Sequence, residues 1–244
     1  MTIRKAVALT GIAAGVFSCC VRPRLLRWGA TDEEVIRPYP GADVVPDAER
    51  AATMAITIDA TPEQVWPWLV QMGWDRAGWY SWDRLDNASR PSATEIHPEW
   101  QHLAVGDELR ARGPNGLLAP WRIAVLESNS FLGLHKLTDL QGRSLDPRMP
   151  RPATYMEGLW GFRLTALPGG RSRLVIGGYQ AMRPRWLARL VFDWSNVVVV
   201  WIMQARMLAV IKRNVEGVRA ASAATVTLPE PGTASTELPV MPTK

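Results

Sequence analysis

The sequence predicts an α+β protein, an antiparallel sheet with one apolar face followed by a single long helix. Three observations predict it. From residue 56 onward a strand pattern runs directly into a capped helix: Ile56, Ile58 and Ala60 alternate with Thr57 and Asp59, the period of a half-buried strand. Two long strand patterns, 155–167 and 173–182, meet at the turn Pro168-Gly169-Gly170 and read as a hairpin. From about 185 to 219 the chain then reads as one helix introduced by Pro184.

Each element has its own signal. Thr61 offers an N-cap oxygen, Pro62 suits the first helical position, and Glu63 suits the positive helix start. Val65, Trp66, Leu69 and Met72 follow at helical spacing and are expected to face the core, Pro67 falls where a missing N–H costs little, and Gly73 ends the helix. Five of the twelve tryptophans (Trp66, Trp68, Trp74, Trp79 and Trp82) crowd this segment, which suits the wall of a deep apolar chamber or a very aromatic core. A polar stretch, 83–101, is expected to hold short helical turns. Strands follow at 106–112, at Trp121, Ile123 and Val125, and at 131–137; in 155–167 Met156, Trp160, Phe162 and Leu164 share a face. The first half of the last helix is nearly apolar all round, with Arg189, Asp193, Gln204 and Arg206 as exceptions. Those residues would be costly in lipid, so a buried core helix is expected, although the valine run 197–200 favours strand locally.

The net charge of +5 sits entirely in residues 1–30, which hold Arg4, Lys5, Arg22, Arg24 and Arg27 and no acid. The rest of the chain sums to zero and shows no basic stripe, so no nucleic-acid partner is expected. Residues 6–21 are largely apolar and uncharged, somewhat short of the ~20 residues that span a bilayer. A single-pass anchor through 6–21 is the leading expectation, with a membrane as partner. A cleaved secretory signal, a lipoprotein signal at Val16-Phe17-Ser18-Cys19 and a buried N-terminal helix are the alternatives. Both cysteines, Cys19 and Cys20, lie here, so the remainder has neither disulfide nor thiol nucleophile. The expected organisation is a leader over 1–30, a linker over 31–48, one domain over 49–220 and a disordered tail over 221–244 rich in Ala, Thr and Pro.

Several segments carry a resemblance. The strand followed by A-T-P-E-Q-V-W-P-W-L-V-Q-M-G and R-A-G-W-Y-S-W-D (60–73 and 76–83) resembles the polyketide cyclase/dehydrase and lipid-transport superfamily, SRPBCC or START/Bet v 1-like. Arg27-Trp28-Gly29-Ala30-Thr31-Asp32-Glu33-Glu34, Ile96-His97-Pro98-Glu99-Trp100-Gln101, Val105-Gly106-Asp107 and residues 207–213 resemble further motifs of one uncharacterised bacterial branch. The resemblance spans about 27–216 and implies a helix-grip fold: a curved antiparallel β-sheet wrapped around the long C-terminal α-helix, with a cavity between them. That fold carries lipid carriers, receptors, cyclases and inert modules alike. Many members of the branch carry arginines where Gly177 and Tyr179 stand, so no charged site is carried over from that strand.

The chain has no G-x-S-x-G elbow, no P-loop and no G-x-G-x-x-G, and neither a metal nor a cofactor is expected. His97 and His102 lie in an irregular stretch and make a poor metal pair. The candidates for acid–base work are His135, Glu99 and Tyr80. His135 alternates with Phe131 and Gly133 on one face of its strand, whereas Leu132 and Leu134 compete for the apolar face. Arg76 could hold an anionic head group or brace its turn, and Asp107 suits a turn. Trp79, Trp121, Trp160 and Phe162 complete the expected ligand-binding set with Arg76, Tyr80 and His135. The leading functional reading is a binding protein for a hydrophobic small molecule or lipid. A cyclase- or dehydratase-like enzyme using one cavity acid or base is the rival, and a structural module with a filled cavity the third.

Overall fold

The alternating segments pair as one curved antiparallel sheet, in a computed structural model that describes residues 12, 14–112, 116, 118–188, 190 and 196–226. Its seven strands, counted among the described residues, are β1 (Glu49–Arg50), β2 (Met54–Ile58), β3 (Glu108–Arg112), β4 (Leu118–Glu127), β5 (Phe131–Thr138), β6 (Tyr155–Leu167) and β7 (Arg171–Arg183). The order is β1-β7-β6-β5-β4-β3, and β2 continues the β1 edge further along β7. The hairpin β6–β7 is paired in unbroken register from Tyr155↔Arg183 to Leu167↔Arg171, as the turn chemistry at 168–170 predicts. Sheet and long C-terminal helix together form a helix-grip fold.

Helix α1 (Arg22–Leu26), α2 (Asp32–Ile36), α3 (Pro62–Val70), α4 (Asp83–Asp86), α5 (Arg185–Ala188) and α6 (Val197–Val226) complete the regular structure, with single turns between them. The capping of α3 is reciprocal: the Thr61 N–H donates to Gln64 Oε1 at 3.0 Å. Its buried side chains are Pro62, Val65, Trp68, Leu69 and Val70, so Trp68 rather than Trp66 is the buried tryptophan. The helix expected over 185–219 is seen as α5 and α6; Arg189 and Asp193 lie outside the described residues. The valine run is helical in spite of its β preference. The side chains of Met207, Leu208, Ile211 and Val215 enter the core against Leu174, Ile176, Phe162 and the buried face of α3. Lys212 Nζ donates to the Thr57 carbonyl at 2.8 Å, and Glu216 Oε1 accepts from the Asp59 N–H at 2.8 Å, which fixes the helix across the end of β2.

The N-terminal expectation is corrected. Among the described residues no helix is long and apolar enough to cross a membrane, so a single pass through 6–21 is not supported. The physical reason is local. A π-turn at Phe17–Val21 runs straight into α1, which carries Arg22 and Arg24 and lies against α6. Residues 6–11 and 13 of the expected span lie outside the described residues, as do residues 1–5.

The segment after α1 covers the free edge of β2. The Thr53 N–H donates to the Leu26 carbonyl at 2.8 Å and the Ala55 N–H to the Trp28 carbonyl at 3.1 Å. Gly29 has φ +72° and lies so close to the Ala55 carbonyl that no side chain fits. Glu34 caps α2 through Thr31 and grips Arg173 of β7 at 2.7 and 2.9 Å. The R-W-G-A-T-D-E-E motif is therefore a strap on the sheet edge. Tyr39 and Val45, each 2% exposed, continue the strap onto the sheet face away from α6. Tyr39 rests on the glycine pair Gly161↔Gly177, where added side chains would collide with its ring.

Candidate functional site

Strand alternation assigns every side chain on β5 and β6 to one of two faces. Leu132, Leu134, Trp160, Phe162 and Leu164 join the core with α6, while Leu137, Tyr155 and Leu159 join a second cluster on the opposite face. By the same alternation Lys136 and Gly158, paired across the ladder, belong to the helix side, and His135 and Glu157 to the other.

On the helix side lies a cavity of about 710 Å³. Its sheet wall is Trp121, Lys136, Met156, Gly158 and Trp160, and its helix wall is Asn196, Val200, Met203 and Gln204. Thr138, Leu140, Gly142, Ala51 and Gln180 stand at the strand ends around it. It lies where the first turns of α6 face the sheet, one step before the helix becomes close-packed at Met207. Gly158 is part of the reason for the space: a Cβ there would meet only the Tyr179 carbonyl, at 3.5 Å. The tryptophan cluster forms the back wall. Trp160 packs on Trp121 at 5.5 Å, on Trp79 at 5.7 Å and on Phe162 at 4.7 Å between ring centroids.

The wall is apolar with a few polar groups. Lys136 Nζ lies 5.5 Å from the centroid of Trp121, and burial lowers the lysine below its ordinary pKa range. Trp160 Nε1 and Gln204 Oε1 are buried without a hydrogen-bond partner among the described residues. A second depression of about 750 Å³ lies over Trp82, between α4 and Arg206, whose guanidinium sits 4.8 Å from the indole. Trp82 in its wall is 44% and Leu85 68% exposed, and it opens to solvent about as widely as the cavity beside Lys136.

The structure divides the expected site residues. Trp121 and Trp160 line the cavity, and Trp79 and Phe162 support them from behind. Tyr80 is fully buried in the core beside Trp68, and its hydroxyl accepts from Gln71 Nε2 at 2.6 Å. Burial raises the Tyr80 hydroxyl well above its ordinary pKa, against the Gln71 hydrogen bond. Its left-handed backbone (φ +56°) is held by its N–H, which donates to Ser92 Oγ at 3.2 Å. Arg76 donates to the Trp100 carbonyl and braces the loop after α3; burial lowers its pKa. Glu99 is exposed beside His97 Nδ1 at 3.3 Å, and His102 is exposed. Asp107 accepts from the Ala104 N–H at 2.8 Å, the expected turn.

His135 faces away from the cavity because Leu132 and Leu134 take the helix side. It is 5% exposed, and its Nε2 lies 2.9 Å from Glu157 Oε1. Arg151 adds two hydrogen bonds to Glu157, at 2.5 and 3.1 Å. Burial pushes the Glu157 carboxyl up, but His135 and Arg151 outweigh it and hold it below the usual range. Among the described residues no group of three or more His, Cys, Asp or Glu could hold a metal ion.

The residues that sequence reasoning missed are Lys136, Met156 as a wall residue, Gly158 and Gln204. Lys136 had a legible signal, since it follows Leu132 and Leu134 at period two, which places its charge on the apolar face.

Comparisons with known proteins give fold-level likeness only. No family model matches the chain, and no curated protein matches it. Among solved structures it is similar to protein MLL2253 from Mesorhizobium loti, at 17% identity over 68% of this chain and 97% of that one, TM-score 0.38. It is similar to the KanY protein (ms6282) at 11% identity over 70% of this chain and 99% of that one, TM-score 0.43. It is also similar to DynU16, a protein of the dynemicin biosynthetic locus, at 13% identity over 67% of this chain and 46% of that one, TM-score 0.38.

Proposed function

We propose that the protein is a START/Bet v 1-like binding protein that holds one hydrophobic small molecule or lipid between its sheet and α6. The observation that carries the reading is the cavity of about 710 Å³ with a tryptophan back wall and few polar groups. Small-molecule sites run to roughly 300–1,000 Å³ with this kind of lining. A volume of that order is far larger than the roughly 30 Å³ share of a single water, which weighs against a filled structural module.

A second reading, a cyclase- or dehydratase-like enzyme, is favoured by one observation. Lys136 puts an ionisable amine in the cavity wall, with its pKa lowered by burial. His135, Glu99 and Tyr80 lend this reading nothing, since each is engaged elsewhere or lies outside the cavity.

Native mass spectrometry on the full chain from its source cells, followed by organic extraction, tests the proposal. One equivalent of a co-purifying apolar molecule is the expected result. A ligand-free mass, with no uptake from a panel of lipids and polycyclic aromatics, would overturn it. Turnover of the extracted molecule by the protein would move the function to the enzyme.

A further inference from the structure

Lys136 is out of place in its wall. It sits on the apolar face of β5, over the Trp121 ring at 5.5 Å, and is mostly buried. Among the described residues no carboxylate lies within ion-pair distance of it. Glu157 also borders the cavity, but its side chain belongs to the opposite face and is occupied by His135 and Arg151. Across the ladder stands Gly158, which leaves the approach to the ammonium open from the cavity. A half-desolvated, unpaired cation is costly, and proteins keep such groups where something else completes them.

A cation in a mostly apolar wall defines a complementary ligand. Resting on the proposed cavity-binding function, we infer that the ligand is an apolar carboxylic acid whose carboxylate is received by Lys136 Nζ. A single ammonium balances a single negative charge. A phosphate monoester, with nearly two charges, would leave one uncompensated inside the chamber.

The test is a paired fluorescence titration of the full chain with 1-pyrenebutyrate and with its methyl ester, at pH 7. The ester reads the cavity; the ratio of the two affinities reads the lysine. Wild-type protein is expected to bind the acid about tenfold or more tightly than the ester, the worth of one charge-assisted hydrogen bond. Lys136→Met should lose the preference for the acid over the ester. Lys136→Gln serves in its place if the methionine variant does not fold. Equal affinities in the wild type, or a preference that survives the loss of the lysine, would overturn the inference while leaving the cavity function standing. Failure of the wild type to bind either probe would overturn the cavity function, and the inference with it.

Discussion

Lys136 and Gly158 stand directly opposite one another in the β5–β6 ladder, a cation facing a residue with no side chain, both on the wall of the cavity. The pair is the hinge of the functional account, because the glycine leaves the volume and the lysine supplies the polarity. Gly158→Leu would place four carbons where a Cβ meets only the Tyr179 carbonyl at 3.5 Å. The substitution is expected to preserve the far-ultraviolet circular dichroism spectrum. It should weaken binding of a neutral apolar probe by at least about tenfold, an overlap cost of about 1–3 kcal/mol. A titration of wild type and variant in parallel checks both.

Tyr80 is expected to be a structural residue. Tyr80→Phe removes the hydrogen bond from Gln71 Nε2, which keeps a second acceptor in the Glu95 carbonyl at 3.0 Å. A loss of about 1 kcal/mol in chemical denaturation, with probe affinity unchanged, is the expected outcome. Weaker probe binding at unchanged stability would instead bring the Tyr80 hydroxyl to the ligand.

The buried group Glu157, His135 and Arg151 gives a pH signature. Glu157 is held below its ordinary pKa, so its pairing stabilises the folded state above about pH 4.3, the ordinary glutamate value. That contribution is lost as pH falls below this value and through the lower folded pKa. Glu157→Gln should be destabilised by about 3 kcal/mol near neutrality, since it leaves His135 and Arg151 without their carboxylate. The gap between variant and wild type should narrow from about pH 4 downward. Urea denaturation at a series of pH values reads both the size and the direction.

Much of the fold was legible because its signals are local. The turn at 168–170, the reciprocal cap at Thr61 and the alternation of Met156, Trp160, Phe162 and Leu164 each act within a few residues, and each is found in place. Of the site, Trp121 and Trp160 were legible as aromatics on an apolar face. His135 was misleading because β5 is buried on both faces, so alternation alone does not say which side holds the cavity. Lys136 lay one residue away with the opposite orientation. The strap was illegible for another reason. Tyr39 is fixed largely by contacts far along the chain, including the Tyr39 N–H to Tyr179 hydroxyl bond at 3.2 Å, and no local pattern encodes them.

The strap itself carries a prediction. Gly177→Ala would push a methyl group into Tyr39, beside Thr53. An overpacking cost of about 1–3 kcal/mol is expected. Pairing it with Tyr39→Ala, which removes the obstacle, should give a combined loss smaller than the sum of the two. Thermal melts of the two single variants and the double variant would show this coupling.

The most direct measurement is a crystal structure of the full chain soaked with the methyl ester of 1-pyrenebutyrate. The account predicts ligand density between β4–β6 and α6, in contact with Trp121, Gly158, Trp160 and Met203. Density in the groove over Trp82 and Arg206, or a chamber closed by its own side chains with no ligand in it, would contradict it.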